Sequence, residues 1–116
     1  MIERKQGQYE GRNKSSAYKD LVWTVATSSD KSVGIEKQTE ITLEIIQKNL
    51  LELGSNKNRI VSAQVYIAKM ADKAKMDAIW CKWLGTDPEC WPQRACLGVD
   101  LDGDDLIEVT VTAVRG

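Results

Sequence analysis

Ile60-Val61-Ser62-Ala63-Gln64-Val65-Tyr66-Ile67, with the stretch after it in which Met76, Ile79, Trp80, Trp83 and Leu84 recur every three or four positions, decides how this chain is read. The first eight residues alternate. Val61, Ala63, Val65 and Ile67 would share one face of a strand, and Ser62, Gln64 and Tyr66 the other. The strand reading runs over residues 60–70. The helical spacing predicts a helix over residues 72–84 with one apolar stripe, stopped by Gly85-Thr86-Asp87-Pro88. A one-faced strand and a one-striped helix must bury those surfaces in a common layer.

Outward from this pair, Leu21-Val22-Trp23-Thr24-Val25-Ala26 is a strand by its β-branched and aromatic content. Residues 33–53 form a helix, with Ile45, Ile46, Leu50, Leu51 and Leu53 near helical spacing and Gly54 in place to cap its end. Residues 1–19 are polar and are read as a short strand and a loop. Residues 27–32 are a further loop. Two alternating stretches close the chain. The expected order is β-β-α-β-α-β-β, an α+β pattern of one sheet with two helices on a single face. The 116 residues suffice for one domain, 1–116, and are too few for two.

The closing stretches hold the chemistry. In Trp91-Pro92-Gln93-Arg94-Ala95-Cys96-Leu97-Gly98-Val99-Asp100-Leu101 the apolar set is Ala95, Leu97, Val99 and Leu101, which leaves Arg94, Cys96 and Gly98 on the other face. In residues 106–114 the apolar set is Ile107, Val109, Val111 and Ala113, opposed by Glu108, Thr110 and Thr112. If the two pair as a hairpin with both apolar sets on one face, parity requires the three-residue loop Asp102-Gly103-Asp104. Cys96 then faces Thr110, Gly98 faces Glu108, and Arg94, Cys96 and Glu108 share one polar face. Such a face is either a ligand site or carries an exposed ion pair worth ~0–1 kcal/mol. The face opposite the helices is also the one such sheets use for assembly.

Composition narrows the chemistry. The net charge of -1 argues against nucleic-acid partners. No apolar run approaches the ~18 residues that span a bilayer, and the polar Met1-Ile2-Glu3-Arg4-Lys5-Gln6 does not read as a signal peptide. A cytoplasmic protein with no membrane partner is expected. Three cysteines, Cys81, Cys90 and Cys96, read as free thiols without zinc spacing, Cys90 being the most exposed. There is no histidine, so catalysis must use carboxylates, thiols, arginine, tyrosine, backbone groups or water. Asp100-Leu101-Asp102-Gly103-Asp104-Asp105 has turn chemistry; calcium-loop spacing fails at Asp105 and Val111. Trp80 and Trp83 read as helix-to-sheet core. Trp91 either walls a pocket or packs in the core.

Several segments, in order, resemble the Rid family, the reactive intermediate deaminases or YjgF family. They are Leu51-Glu52-Leu53-Gly54-Ser55-Asn56-Lys57, the strand from Ile60, and Met76-Asp77-Ala78-Ile79-Trp80-Cys81-Lys82-Trp83. The most specific are Pro92-Gln93-Arg94-Ala95-Cys96, similar to the family's P-x-R-(S/A)-x stretch, and Leu106-Ile107-Glu108-Val109, similar to its terminal V-E-I strand. The resemblance covers most of the chain. It implies a chorismate-mutase-like fold, homotrimers with the sheets inside, and sites in clefts between subunits. It implies hydrolysis of 2-imino or enamine acids, such as 2-aminoacrylate, to 2-keto acids and ammonia, with no metal or organic cofactor. In that setting Arg94 would hold the substrate carboxylate, Cys96 would line the pocket, often through its backbone, and Glu108 would position water. Tyr18 would match a family tyrosine, with Tyr9 as competitor. Two places in the chain depart from the family pattern. Val25-Ala26-Thr27 stands where deaminating members carry Ser-Gly-Gln, and Asp77 stands where many carry asparagine. The alternative functions are a non-catalytic trimeric binder of small carboxylates and an interaction protein with a vestigial cleft.

Overall fold

The N-terminal part of the chain forms three strands, where two were expected. In the computed structural model, which describes residues 1–116, β1 (Glu3–Gln6), β2 (Asn13–Tyr18) and β3 (Leu21–Thr27) are successive antiparallel neighbours. They are followed by α1 (Ile35–Glu52), β4 (Ile60–Ile67), α2 (Lys73–Leu84), β5 (Gln93–Gly98) and β6 (Ile107–Val114). The order β-β-α-β-α-β-β is corrected to β-β-β-α-β-α-β-β. The added strand, β2, escapes hydrophobic patterning because one of its inward residues is polar. Ser15 is buried, and its hydroxyl donates to Thr24 Oγ1 at 2.8 Å. Thr24 Oγ1 also accepts from Asn49 Nδ2 at 3.0 Å and donates to the Lys14 carbonyl at 3.1 Å. A buried polar group that finds its partners breaks the alternation without a penalty to the fold.

The six strands form one mixed sheet in the order β1-β2-β3-β6-β4-β5. Four neighbouring pairs are antiparallel; β4 and β5 are parallel. This overturns the expected hairpin of the last two strands. β5 is an edge strand reached from β4 through α2, as a parallel neighbour requires, and β6 enters between β3 and β4. Arg94 stands beside Ala63, Cys96 beside Val65 and Gly98 beside Ile67. Ala63, Val65 and Ile67 are buried under the helices together with Ile107, Val109, Val111 and Ala113 of β6. Neighbours in register share a face, so Arg94 and Cys96 lie on the helix side and Glu108, Thr110 and Thr112 on the other. The expected grouping of Arg94, Cys96 and Glu108 on one face is therefore corrected. Parity failed because it assumed that consecutive strands pair. At this edge of the sheet α2 lies over the polar half of β5, where Arg94 meets Asp77, Met76 and Trp80.

β4 ends at Ile67, and a register shift between Ile60 and Ser62 turns Val61 outward, half exposed, while Ile60 is buried. Both helices pack on one face. Leu43, Ile46 and Leu50 of α1 and Met76, Trp80 and Leu84 of α2 join Val22, Val65 and Val109 in a single core. α1 ends as its glycine predicts. Gly54 takes φ 83°, Gly54 N–H donates to the Leu51 carbonyl and Ser55 N–H to that of Leu50, which is a Schellman cap. No helix is long and apolar enough to cross a membrane.

The opposite face of the sheet has no covering layer. Tyr18, Leu21, Trp23 and Leu97 stand on it between 38% and 45% exposed. Between them lie Thr110 and Gln64, joined by a hydrogen bond of 2.7 Å from Thr110 Oγ1 to Gln64 Oε1.

Candidate functional site

The residues singled out from the sequence fall into three places: Glu108 in one, Arg94 and Cys96 in another, Tyr18 in a third. At one end of the uncovered face a register row runs Thr27, Glu108, Tyr66, Leu97. Here Glu108 lines a cleft of 490 Å³ with Tyr9, Arg12, Thr27, Ser28 and Lys31. The turn between β1 and β2 supplies Tyr9 and Arg12, the Arg12 guanidinium lying 4.5 Å from the centre of the Tyr9 ring. The loop after β3 supplies Ser28 and Lys31. Lys31 Nζ donates to Thr27 Oγ1 at 3.1 Å and to the Asp105 carboxylate. The cleft thus sets Glu108, with the further carboxylates of Asp102 and Asp105, a phenol and three hydroxyls among cations, groups suited to a small polar ligand and a water.

Tyr18 is not brought to Glu108. It pairs with Leu21, six residues along β3 from the Thr27–Glu108 row, a distance of roughly 20 Å at strand rise. Tyr9 is the tyrosine of the cleft. Its local signal was the pair Gly7 and Gly11 around it, which marks a tight turn; Arg12 and Lys31 carried no signal that set them apart from surface cations. Val25 also lines this cleft, and a second hollow of 300 Å³ on the uncovered face beside Gln64 and Thr110. An apolar side chain therefore stands where a serine hydroxyl was the expectation for a deaminating member.

Arg94 lies on the other face, beneath α2. Its Nη2 is 2.8 Å from Asp77 Oδ1, its Nη1 3.9 Å from Met76 Sδ, and its guanidinium carbon 5.2 Å from the centre of the Trp80 ring. Asp77 Oδ2 accepts a hydrogen bond from Lys73 Nζ at 2.8 Å. Burial pushes the Asp77 carboxyl up, but the hydrogen bond from Lys73 and the close contact with Arg94, with their positive charges, more than offset this and hold it below the ordinary value of 3.8. The stability these contacts contribute is complete above that ordinary value and is lost as pH falls through the lowered one. The Arg94 side chain keeps 18% of its surface exposed. Cys96, one alternation further, packs half-buried against the core.

Arg94 and Glu108 are separated by two strand spacings and three residues of rise, roughly 14 Å between backbones, and their side chains leave opposite faces. Within one chain they cannot grip the same small molecule. Trp91 is 53% exposed, with Nε1–H donating to the Gly85 carbonyl at 3.0 Å, so its reading as core is corrected. The exposed thiol is Cys81; Cys90 is half-buried. Gly103 takes φ 54° in a turn closed by Asp105 N–H on the Asp102 carbonyl, as its turn chemistry requires.

Comparison with known proteins agrees with this architecture. Residues 24–115 match the family described as endoribonuclease L-PSP. A RutC family protein of Haemophilus ducreyi is 34% identical over 86 residues, 73% of this chain and 72% of that protein. One from Haemophilus influenzae is 35% identical over 78 residues, 66% of each chain. Among solved structures, an uncharacterized protein from Pseudomonas aeruginosa is 27% identical and superposes with a TM-score of 0.89 over all of both chains. A member of the YjgF protein family from Neisseria meningitidis is 24% identical, with a TM-score of 0.90 over 100% of this chain and 96% of that one. With two helices on a mixed six-stranded sheet and a family match over most of its length, the chain belongs to the Rid/YjgF-type family, described as endoribonuclease L-PSP.

Proposed function

We propose that this protein hydrolyses reactive 2-imino and enamine acids, such as 2-aminoacrylate, to 2-keto acids and ammonia, without a cofactor, in clefts between the subunits of a cytoplasmic homotrimer. The observation that carries the reading is the division of Arg94 and Glu108 between opposite faces of the sheet. A site that uses both must take them from two chains, and the uncovered face with Trp23 and Leu97 is available for that contact. Arg94 of one subunit holds the substrate carboxylate through its planar fork, and the backbone at Cys96 lines the same wall. Glu108 of the next subunit orients water, with Tyr9, in preference to Tyr18, beside it.

The chemistry asks little of the protein. The enamine tautomerises to the imine; water adds to C2 as Glu108 takes one of its protons and passes it to nitrogen, which gives a carbinolamine; the carbinolamine hydroxyl then gives up its proton, Glu108 carries it to nitrogen, and the C–N bond breaks to leave the 2-keto acid and ammonia. Position and proton transfer supply the acceleration. The family's endoribonuclease label has little support from this chain's charge of -1 or from a 490 Å³ cleft, which suits a metabolite better than a polymer. The second reading, a non-catalytic binder of small carboxylates, draws on Val25, whose side chain can neither donate a proton nor hold a water.

Freshly generated 2-aminoacrylate should release ammonia faster with the protein than in buffer, and Glu108→Gln should remove most of that gain. Binding of pyruvate without any gain would select the binder. Light scattering should give three chains per particle. Trp23→Glu, which places a charge on the contact face, should shift the particle to single chains while the far-UV spectrum stays unchanged; a wild-type monomer would exclude the two-chain site.

A further inference from the structure

The guanidinium of Arg94 is not an empty anion site. It already has a carboxylate, Asp77, at 2.8 Å, on a helix packed over it. The Trp80 ring lies 5.2 Å from the guanidinium carbon and Met76 Sδ 3.9 Å from Nη1, so two sides of the group are occupied by α2. What remains open lies within the 18% of the whole side chain's surface that faces solvent. A ligand carboxylate arriving there meets two opposing conditions. It gains the guanidinium, and it comes within a few ångströms of a second fixed negative charge. Two carboxylates converging on one cation repel, and each weakens the other's hold.

Lys73 sets the balance. Its ammonium holds the other Asp77 oxygen at 2.8 Å, one turn back on the same helix. It draws part of the negative charge away from Arg94, and the three groups together keep one net positive charge. The Asp77 contact to Arg94 is short but badly aligned: Oδ1 is buried and makes no well-formed hydrogen bond. The pair is therefore a close ion contact that a better-aligned acceptor could displace.

From this geometry we infer that Asp77 is a resident competitor for Arg94, a specificity-determining carboxylate that lowers the affinity of the site for ligand carboxylates and narrows its preference for them over neutral analogues. The inference rests on the reading of Arg94 as the substrate anchor. The side chain of Asp77 is not called on to touch the reacting atoms.

Direct binding of pyruvate and of its amide, followed by calorimetry on the intact protein, tests it. In Asp77→Asn, which keeps the shape and removes the charge, pyruvate should bind roughly three- to tenfold more tightly, the effect of one nearby charge at partial exposure. The amide should bind about as before. In Lys73→Gln, at a side chain 41% exposed, Asp77 is left wholly to Arg94, and pyruvate should bind more weakly. Opposite shifts from two surface-tolerated changes separate competition from a general loosening of α2. Pyruvate affinity that is unchanged or weaker in Asp77→Asn, while still abolished by Arg94→Ala, overturns the competitor role alone. Pyruvate binding that survives Arg94→Ala overturns the anchor reading on which it depends.

Discussion

A one-to-one mixture of Arg94→Ala and Glu108→Gln subunits, unfolded and refolded together, is expected to recover about a quarter of wild-type turnover of 2-imino acids, although neither variant alone retains more than a trace. Losing one partner of a shielded carboxylate–guanidinium pair costs about 2–5 kcal/mol, or roughly thirty- to several-thousandfold. Removing a general base costs about 10²–10⁴-fold. Recovery follows from placement. If each cleft takes Arg94 from one chain and Glu108 from its neighbour, a random trimer sets an intact Arg94 against an intact Glu108 in about half of a half of its sites. The two residues leave opposite faces of one sheet, so the two-chain arrangement is the one that can unite them. Each variant refolded alone gives the baseline. Arg94→Ala should still fold, because Asp77 keeps Lys73 at 2.8 Å as a counter-charge; Arg94→Lys, which keeps the charge and loses the fork, is the second variant should it not. A mixture no more active than the mean of its parts would place the chemistry within a single chain and end the intersubunit reading.

The fold was legible where hydrophobic periodicity operates alone. α1, β4 and α2 were readable to within a few residues because most of their apolar positions keep step, Leu51 and Val61 excepted, and Gly54 marks the stop between the first two. β2 was not legible, because Ser15 and Thr24 are buried as a hydrogen-bonded pair and burial through hydrogen bonds leaves no hydrophobic trace. The pairing of β5 was not legible either. Its alternation was real, but alternation says that two faces exist and not which one meets the helices. The better signal was the order strand, helix, strand from β4 through α2 to β5, since a parallel neighbour needs a crossover of that kind. The candidate site inherits both errors. Arg94 and Glu108 stood out by residue type and family resemblance, yet their separation depends on the insertion of β6 between β3 and β4, a long-range event that neither strand encodes by itself. Tyr9 and Arg12 reach Glu108 only because β1 and β2 exist as a hairpin.

Two substitutions one turn apart on α1 should change stability in opposite directions. Gln38 is completely buried, and its amide ties the start of α1 to the loop before β6. Nε2 donates to the carbonyls of Val33 and Asp104, each at 3.1 Å, and Oε1 accepts from the backbone N–H of Leu106 at 3.0 Å. Gln38→Leu would keep much of the volume and leave three backbone groups without that partner. Water can reach the Asp104 end, which is exposed, so the full penalty falls on the other two. The expected loss is roughly 2–4 kcal/mol, or roughly 8–16 °C in Tm for a domain of this size. Thr42, four residues on, is also fully buried, but its hydroxyl has no partner. Thr42→Val replaces the hydroxyl with a methyl of similar size, spares the burial of an unpaired polar group, and should raise stability by about 1 kcal/mol. Both are β-branched, so helix propensity hardly enters. Denaturant unfolding of both variants at one fixed protein concentration, since assembly would couple to stability, supplies the comparison. A tolerant Gln38→Leu would show that the loop before β6 is held by its own turn and by Lys31 on Asp105. A destabilised Thr42→Val would reveal a partner for the hydroxyl, a water or a neighbouring chain, at the centre of the helix layer.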